Sequence, residues 1–85
     1  MHDDLRARVA ADFPRIRAEL EGLVRIPSVS AAGFDAGEVR RSALATADLM
    51  RDAGLGDVRL LEVEGAHPAV LGERRAGADR PTVLL

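Results

Sequence analysis

The chain has 85 residues, so it holds one domain at most, with a small core. Twelve arginines and fourteen acidic residues give a net charge of -2, and both signs are mixed along the whole chain, which excludes a basic face for nucleic acid. Cysteine is absent, which excludes disulfides and thiolate zinc sites and fits a reducing compartment.

Signals for export or membrane insertion are missing from the sequence pattern. The first ten residues, MHDDLRARVA, carry acids and no apolar run, unlike a secretory signal. No stretch approaches the roughly 20 apolar residues of a membrane-spanning helix. We therefore expect a cytoplasmic protein.

The first predicted element is a helix over residues 3–26. Its large apolar side chains recur every three or four residues and form one stripe, made of Leu5, Val9, Phe13, Ile16, Leu20 and Leu23. Pro14 interrupts this stripe, because it lacks a backbone donor and disfavours the helical conformation of Phe13. The unbroken stripe favours a kinked helix over a fresh start with Asp12 as N-cap. Pro27 ends the helix.

A loop, SVSAAGFDAG, leads to a second predicted helix over residues 36–53. Asp35, followed by Glu38 three residues later, resembles a capping box. Gly54 is well placed as the left-handed residue that closes the helix, and Leu55 is expected to fold back on the last turn.

Three strands are predicted next, over residues 57–64, 69–74 and 81–85. The first two form a hairpin around the turn at Gly65 to Pro68. The third, PTVLL, is apolar without alternation, which is typical of a strand buried on both faces. The order of helix, helix and three strands indicates the α/β class, and a free edge of such a sheet is a template for association.

Two residue types with nucleophilic or metal-binding chemistry occur at isolated positions. His2 and His67 are too few for a zinc site, and we interpret them as a terminal residue and a turn residue. Ser28 and Ser30 lack the G-x-S-x-G elbow and are interpreted as loop serines that bond to the backbone.

The charged candidates are equally weak. Glu62, Glu64 and Glu73 fall on predicted strands, where carboxylates usually mark the solvated face. The doublets Arg40-Arg41 and Arg74-Arg75 are interpreted as solvated surface. Neither of the glycine-rich phosphate-binding patterns occurs. We therefore assign no catalytic, cofactor-binding or metal-binding residue in this chain.

Four segments, taken in order, resemble the start of the M20 family of metallopeptidases, which includes dipeptidases, carboxypeptidases and aminoacylases. They are ELEGLVRIPSVSA at 19–31, LMRDAGL at 49–55, GAHPAVLGE at 65–73 and RPTVLL at 80–85. Their order and spacing span nearly the whole chain. VRIPSVSA and HPAVLGER are most similar to the dipeptidase branch.

The resemblance implies a fragment of a three-layer catalytic domain. In the family, the strand that matches PTVLL leads into a Gly-His-x-Asp segment that carries the first metal ligand, and the chain stops at Leu85 before it. The complete protein would be a hydrolase of peptide or N-acyl amino acid substrates with two zinc ions. Residues 1–85 would lack the metal site and be inactive, with the rest of the domain as their partner.

A homodimer is implied only for the complete protein, since family members often dimerise through a separate inserted domain.

The alternative hypothesis is a protein of another class, which is not an enzyme. A small helix-and-hairpin module could bind a partner by adding its last strand to another sheet.

Overall fold

Two helices followed by an antiparallel hairpin make up the fold of residues 2–85, which the computed structural model describes. Helix α1 is His2–Val24, helix α2 is Ala36–Asp52, strand β1 is Asp57–Leu61 and strand β2 is Ala69–Glu73. The prediction of an α/β chain with two helices before a hairpin is confirmed. The predicted C-terminal ends of these four elements lie one to three residues beyond the observed ends.

The predicted third strand is absent from the described residues. Residues 81–85 pair with no other segment, and Val83 and Leu84 are 78% and 93% exposed. A strand exists only through the hydrogen bonds of a ladder, so an apolar composition alone does not create one. The prediction of a strand buried on both faces is therefore wrong for this structure.

Helix α1 continues through Pro14 as one helix. Asp12 lies inside this helix and is not an N-cap, and its carboxylate accepts a hydrogen bond from Nε of Arg8 at 2.8 Å and lies 3.6 Å from Arg15. The hydrogen bond from Arg8 is the main cause that lowers the pKa of Asp12 below its usual value. Asp12 thus joins a surface ion-pair ladder along α1.

The apolar stripe of α1 is not covered by the rest of the described chain. Five of its six side chains are 42 to 61% exposed, namely Leu5, Val9, Phe13, Ile16 and Leu20, while Leu23 is half-buried. The radius of gyration is 15.8 Å, whereas a compact chain of this length has about 12 Å. Helix α1 therefore extends from the molecule and touches α2 only sparsely.

Helix α2 has a defined cap at each end. The Asp35 side chain accepts a hydrogen bond from the Gly37 N–H at 2.8 Å, as an N-cap does. The predicted capping box is only half formed, because the Glu38 carboxylate bonds to Arg41 at 3.0 Å. At the other end, Gly54 has φ +100°, as predicted.

The C-terminal cap of α2 is a Schellman motif. The N–H of Gly54 donates to the carbonyl of Arg51 at 3.0 Å, and the N–H of Leu55 donates to the carbonyl of Met50 at 3.2 Å. These two bonds require a left-handed residue at position 54. Gly54→Ala should therefore destabilise the fold by about 1 kcal/mol in urea unfolding, because a Cβ is strained at this φ.

A matched control for this prediction is Gly22→Ala on α1. Gly22 lies in a helix with no atom within 4 Å of an added Cβ, so alanine there should stabilise the helix. Equal effects of the two substitutions would contradict the role assigned to Gly54.

The core lies between α2 and one face of the hairpin. Ala43 and Ala47 of α2 are buried, together with Ile26 from the loop after α1. The hairpin register pairs Val58 with Gly72 and Leu60 with Val70, and these four residues are half-buried. Small residues on α2 and Gly72 on β2 thus let the helix lie close to the sheet.

Candidate functional site

The structure brings a histidine and a serine together, but not as a catalytic pair. Nε2 of His67, in the turn between β1 and β2, lies 3.0 Å from the backbone carbonyl of Ser30. A carbonyl only accepts hydrogen bonds, so Nε2 carries the proton and donates it. A nucleophile and its base require contact between a hydroxyl and an unprotonated nitrogen. This contact instead ties the loop after α1 to the hairpin turn.

The other sequence candidates lie apart from one another. His2 is the first residue of α1, and Ser28 donates its backbone N–H to the carbonyl of Ile26 at 2.7 Å. Glu62 and Glu64 follow the end of β1 at Leu61, so their predicted positions on a strand are wrong.

The charged candidates make surface ion pairs. Arg40 of α2 pairs with Glu62, so it is not simply a solvated residue. Arg41 pairs with Glu38, and Glu73, the last residue of β2, lies 3.7 Å from Arg75. These side chains are 27 to 90% exposed, as is usual for ion pairs that contribute little stability.

A metal centre is not evident in residues 2–85. No three acidic or histidine side chains in this range come together as metal ligands. A depression of about 420 Å³ lies beside the start of β1, but its side chains are charged and of both signs, contributed by Asp57, Glu73, Arg74 and Arg75. Ligand pockets are mostly apolar, so we do not assign this depression a ligand.

The hairpin edges are the surface with the clearest binding chemistry. The N–H of Gly56 donates to the carbonyl of Glu73 at 3.2 Å, so the backbone of Glu73 points toward β1. In an antiparallel ladder the direction alternates from one residue to the next. The backbone groups of Val58 and Leu60 on β1, and of Val70 and Gly72 on β2, therefore point outward.

The two edges differ in how they are covered. Nη2 of Arg51, near the end of α2, donates to the outward carbonyl of Val58 at 3.3 Å. The Arg40–Glu62 pair lies just beyond the same strand. Within the described residues, no side chain bonds to the outward groups of Val70 or Gly72. One side chain of α2, Arg51, thus bonds to one outward group of the β1 edge, while all outward donors and acceptors of the β2 edge are free of side-chain hydrogen bonds within the described residues.

No pattern in the sequence indicates this difference between the edges. Arg51 and Val58 are seven residues apart, and their contact depends on how α2 crosses the sheet.

None of the helices in residues 2–85 is long and apolar enough to cross a membrane. Comparison with known protein families, curated proteins and solved structures finds no match to this chain.

Proposed function

We propose that this chain is the N-terminal part of the catalytic domain of a zinc-dependent, dipeptidase-like hydrolase. The observation that carries the proposal is the ordered set of four segments similar to M20 metallopeptidases between residues 19 and 85. The uncovered stripe of α1 supports it, because so many exposed apolar residues are typical of a surface that meets further protein. A cytoplasmic location belongs to the same proposal.

The residues present do not fit a zinc site. His67 is held by a backbone carbonyl, and no acidic cluster lies near it in the described range. On this proposal residues 1–85 contribute packing rather than chemistry. Helix α2 holds the hairpin in place, and the hairpin supports the sheet that would carry the metal ligands.

The isolated 85-residue chain is expected to hydrolyse no dipeptide. The physical reason is that metal-assisted hydrolysis needs a metal ion held by several protein ligands. The measurement is release of free amino acid from a panel of dipeptides and N-acyl amino acids, with zinc added. Cleavage that is lost on chelation would contradict the proposal.

The positive test is the reading frame in the source DNA beyond codon 85. We expect it to continue into Gly-His-x-Asp and then into further acidic and histidine residues. A product that includes them should bind zinc and cleave at least one substrate of the panel. A stop codon directly after codon 85 would exclude the hydrolase and leave the second candidate.

The second candidate is a module that binds by strand addition. Two observations favour it, namely the free outer edge of β2 and the unpaired, exposed segment 81–85. Main-chain hydrogen bonds across such an edge supply affinity, and the side chains on alternate positions supply specificity.

A further inference from the structure

We infer that the outer edge of β2 accepts an added strand, and that in the 85-residue chain this strand is residues 81–85 of a second copy. The inference rests on the second candidate function, strand addition, and names its surface and its partner. This inference differs from what the family resemblance implies, namely that a homodimer forms only in the complete protein, through a separate domain.

The choice of edge follows from the backbone. On β1, the outward carbonyl of Val58 already accepts a bond from Arg51. On β2, the outward groups belong to Val70 and Gly72, where a new strand meets no side-chain hydrogen bond. A two-stranded sheet is marginally stable by itself, so a third strand at this edge adds stability.

The choice of strand follows from its exposure and length. Segment 81–85 has five residues, as β2 has, and Val83 and Leu84 are 78% and 93% exposed. These side chains therefore do not lie on their own hairpin. Exchange of the segment between two copies is reciprocal, so the two contacts are identical and the assembly closes as a dimer.

An antiparallel register that sets 81–85 opposite 69–73 suits the residues on both strands. Thr82 lies opposite Gly72 and Leu84 opposite Val70, so these pairs exchange the hydrogen bonds. Pro81 has no N–H, and this register points its nitrogen away from β2, where proline is tolerated. If the register were shifted by one residue, Pro81 would have to donate a backbone hydrogen bond to β2, and proline has no N–H to donate.

Side chains support the same register. Leu84 lies on the face of the sheet that α2 covers, beside Val70, where it extends the apolar layer. Beyond the strands, the register sets Arg75 level with Asp79 of the other copy. The opposite charges of this pair favour the antiparallel orientation.

The test compares two proline variants in the exposed segment, using sedimentation equilibrium of the full 85-residue chain. Thr82→Pro removes a donor aimed at β2 and should raise the dimer dissociation constant by roughly tenfold or more. Val83→Pro removes an N–H that points outward and should change it by less than about threefold. Neither position is packed in the monomer, so both variants should keep the circular dichroism of the parent.

Amide hydrogen exchange on the unmodified chain gives a second measurement. The N–H groups of Val70 and Gly72 should become protected as concentration rises, while those of Val58 and Leu60 stay unprotected. A monomer at all concentrations overturns the inference. Protection at Val58 and Leu60 instead would show that the added strand pairs with β1 and not with β2. Protection at Val70 that does not depend on concentration, in a monomer, would show that the added strand comes from the same copy. None of these results bears on the reading frame, so the hydrolase proposal is tested separately.

Discussion

Ala47→Asp is expected to unfold the chain. Ala47 is 0% exposed, in the middle of α2, the helix that packs against both strands of the hairpin. A carboxylate there would be buried without a partner, which costs on the order of 3 kcal/mol or more. Because a domain of 85 residues is only marginally stable, this loss of folding free energy leaves most molecules unfolded.

The control for this substitution is Ala18→Asp, at an exposed position of α1. Aspartate has a lower helix propensity than alanine, by about 0.7 kcal/mol at most, and this cost applies at both positions. At position 18 the charge stays in solvent, so no cost of burial is added. Urea unfolding followed by circular dichroism measures both variants. Similar midpoints for the two would show that Ala47 is not in the core.

Gly72→Val is expected to destabilise the fold by about 2 kcal/mol, through overpacking. A Cβ built at Gly72 lies 2.5 Å from Cε of Met50 and 2.9 Å from Cδ1 of Leu55. Both atoms end flexible side chains, so a single methyl group could be accommodated by their movement. The two further methyl groups of valine fill the space into which these side chains would move.

Gly22→Val provides the comparison, since no atom lies within 4 Å of a Cβ at Gly22. Valine has a better helix propensity than glycine, so this variant should be as stable as the parent or slightly more stable. Thermal unfolding of the two variants separates crowding at the sheet from any general cost of valine. A Gly72→Val variant as stable as the parent would contradict close packing of α2 on β2.

Local rules predicted most elements of the fold. The spacing of apolar residues identified both helices, and Asp35, Gly54 and Leu55 marked the ends of α2 because capping is decided by a few neighbouring residues. The hairpin followed from its turn residues. Pro14 did not stop α1, and the sequence had favoured a helix that continues past it.

Features that depend on distant contacts were not predictable in the same way. A stripe on α1 indicates an apolar face but not what covers it. The composition of PTVLL indicates a strand, but a strand also needs an edge to pair with. The contacts of His67 with Ser30 and of Arg51 with Val58 join residues whose proximity is set by the packing of whole elements.

Heat should unfold α1 gradually, because none of its residues is buried. A helix without tertiary burial depends on its own ladder of ion pairs and on its length of 23 residues. Such a helix loses turns gradually from its ends, as isolated peptides do, instead of melting in one step. The ellipticity of the chain should therefore slope over a wide temperature range, with the sharper transition of α2 and the hairpin superimposed on it.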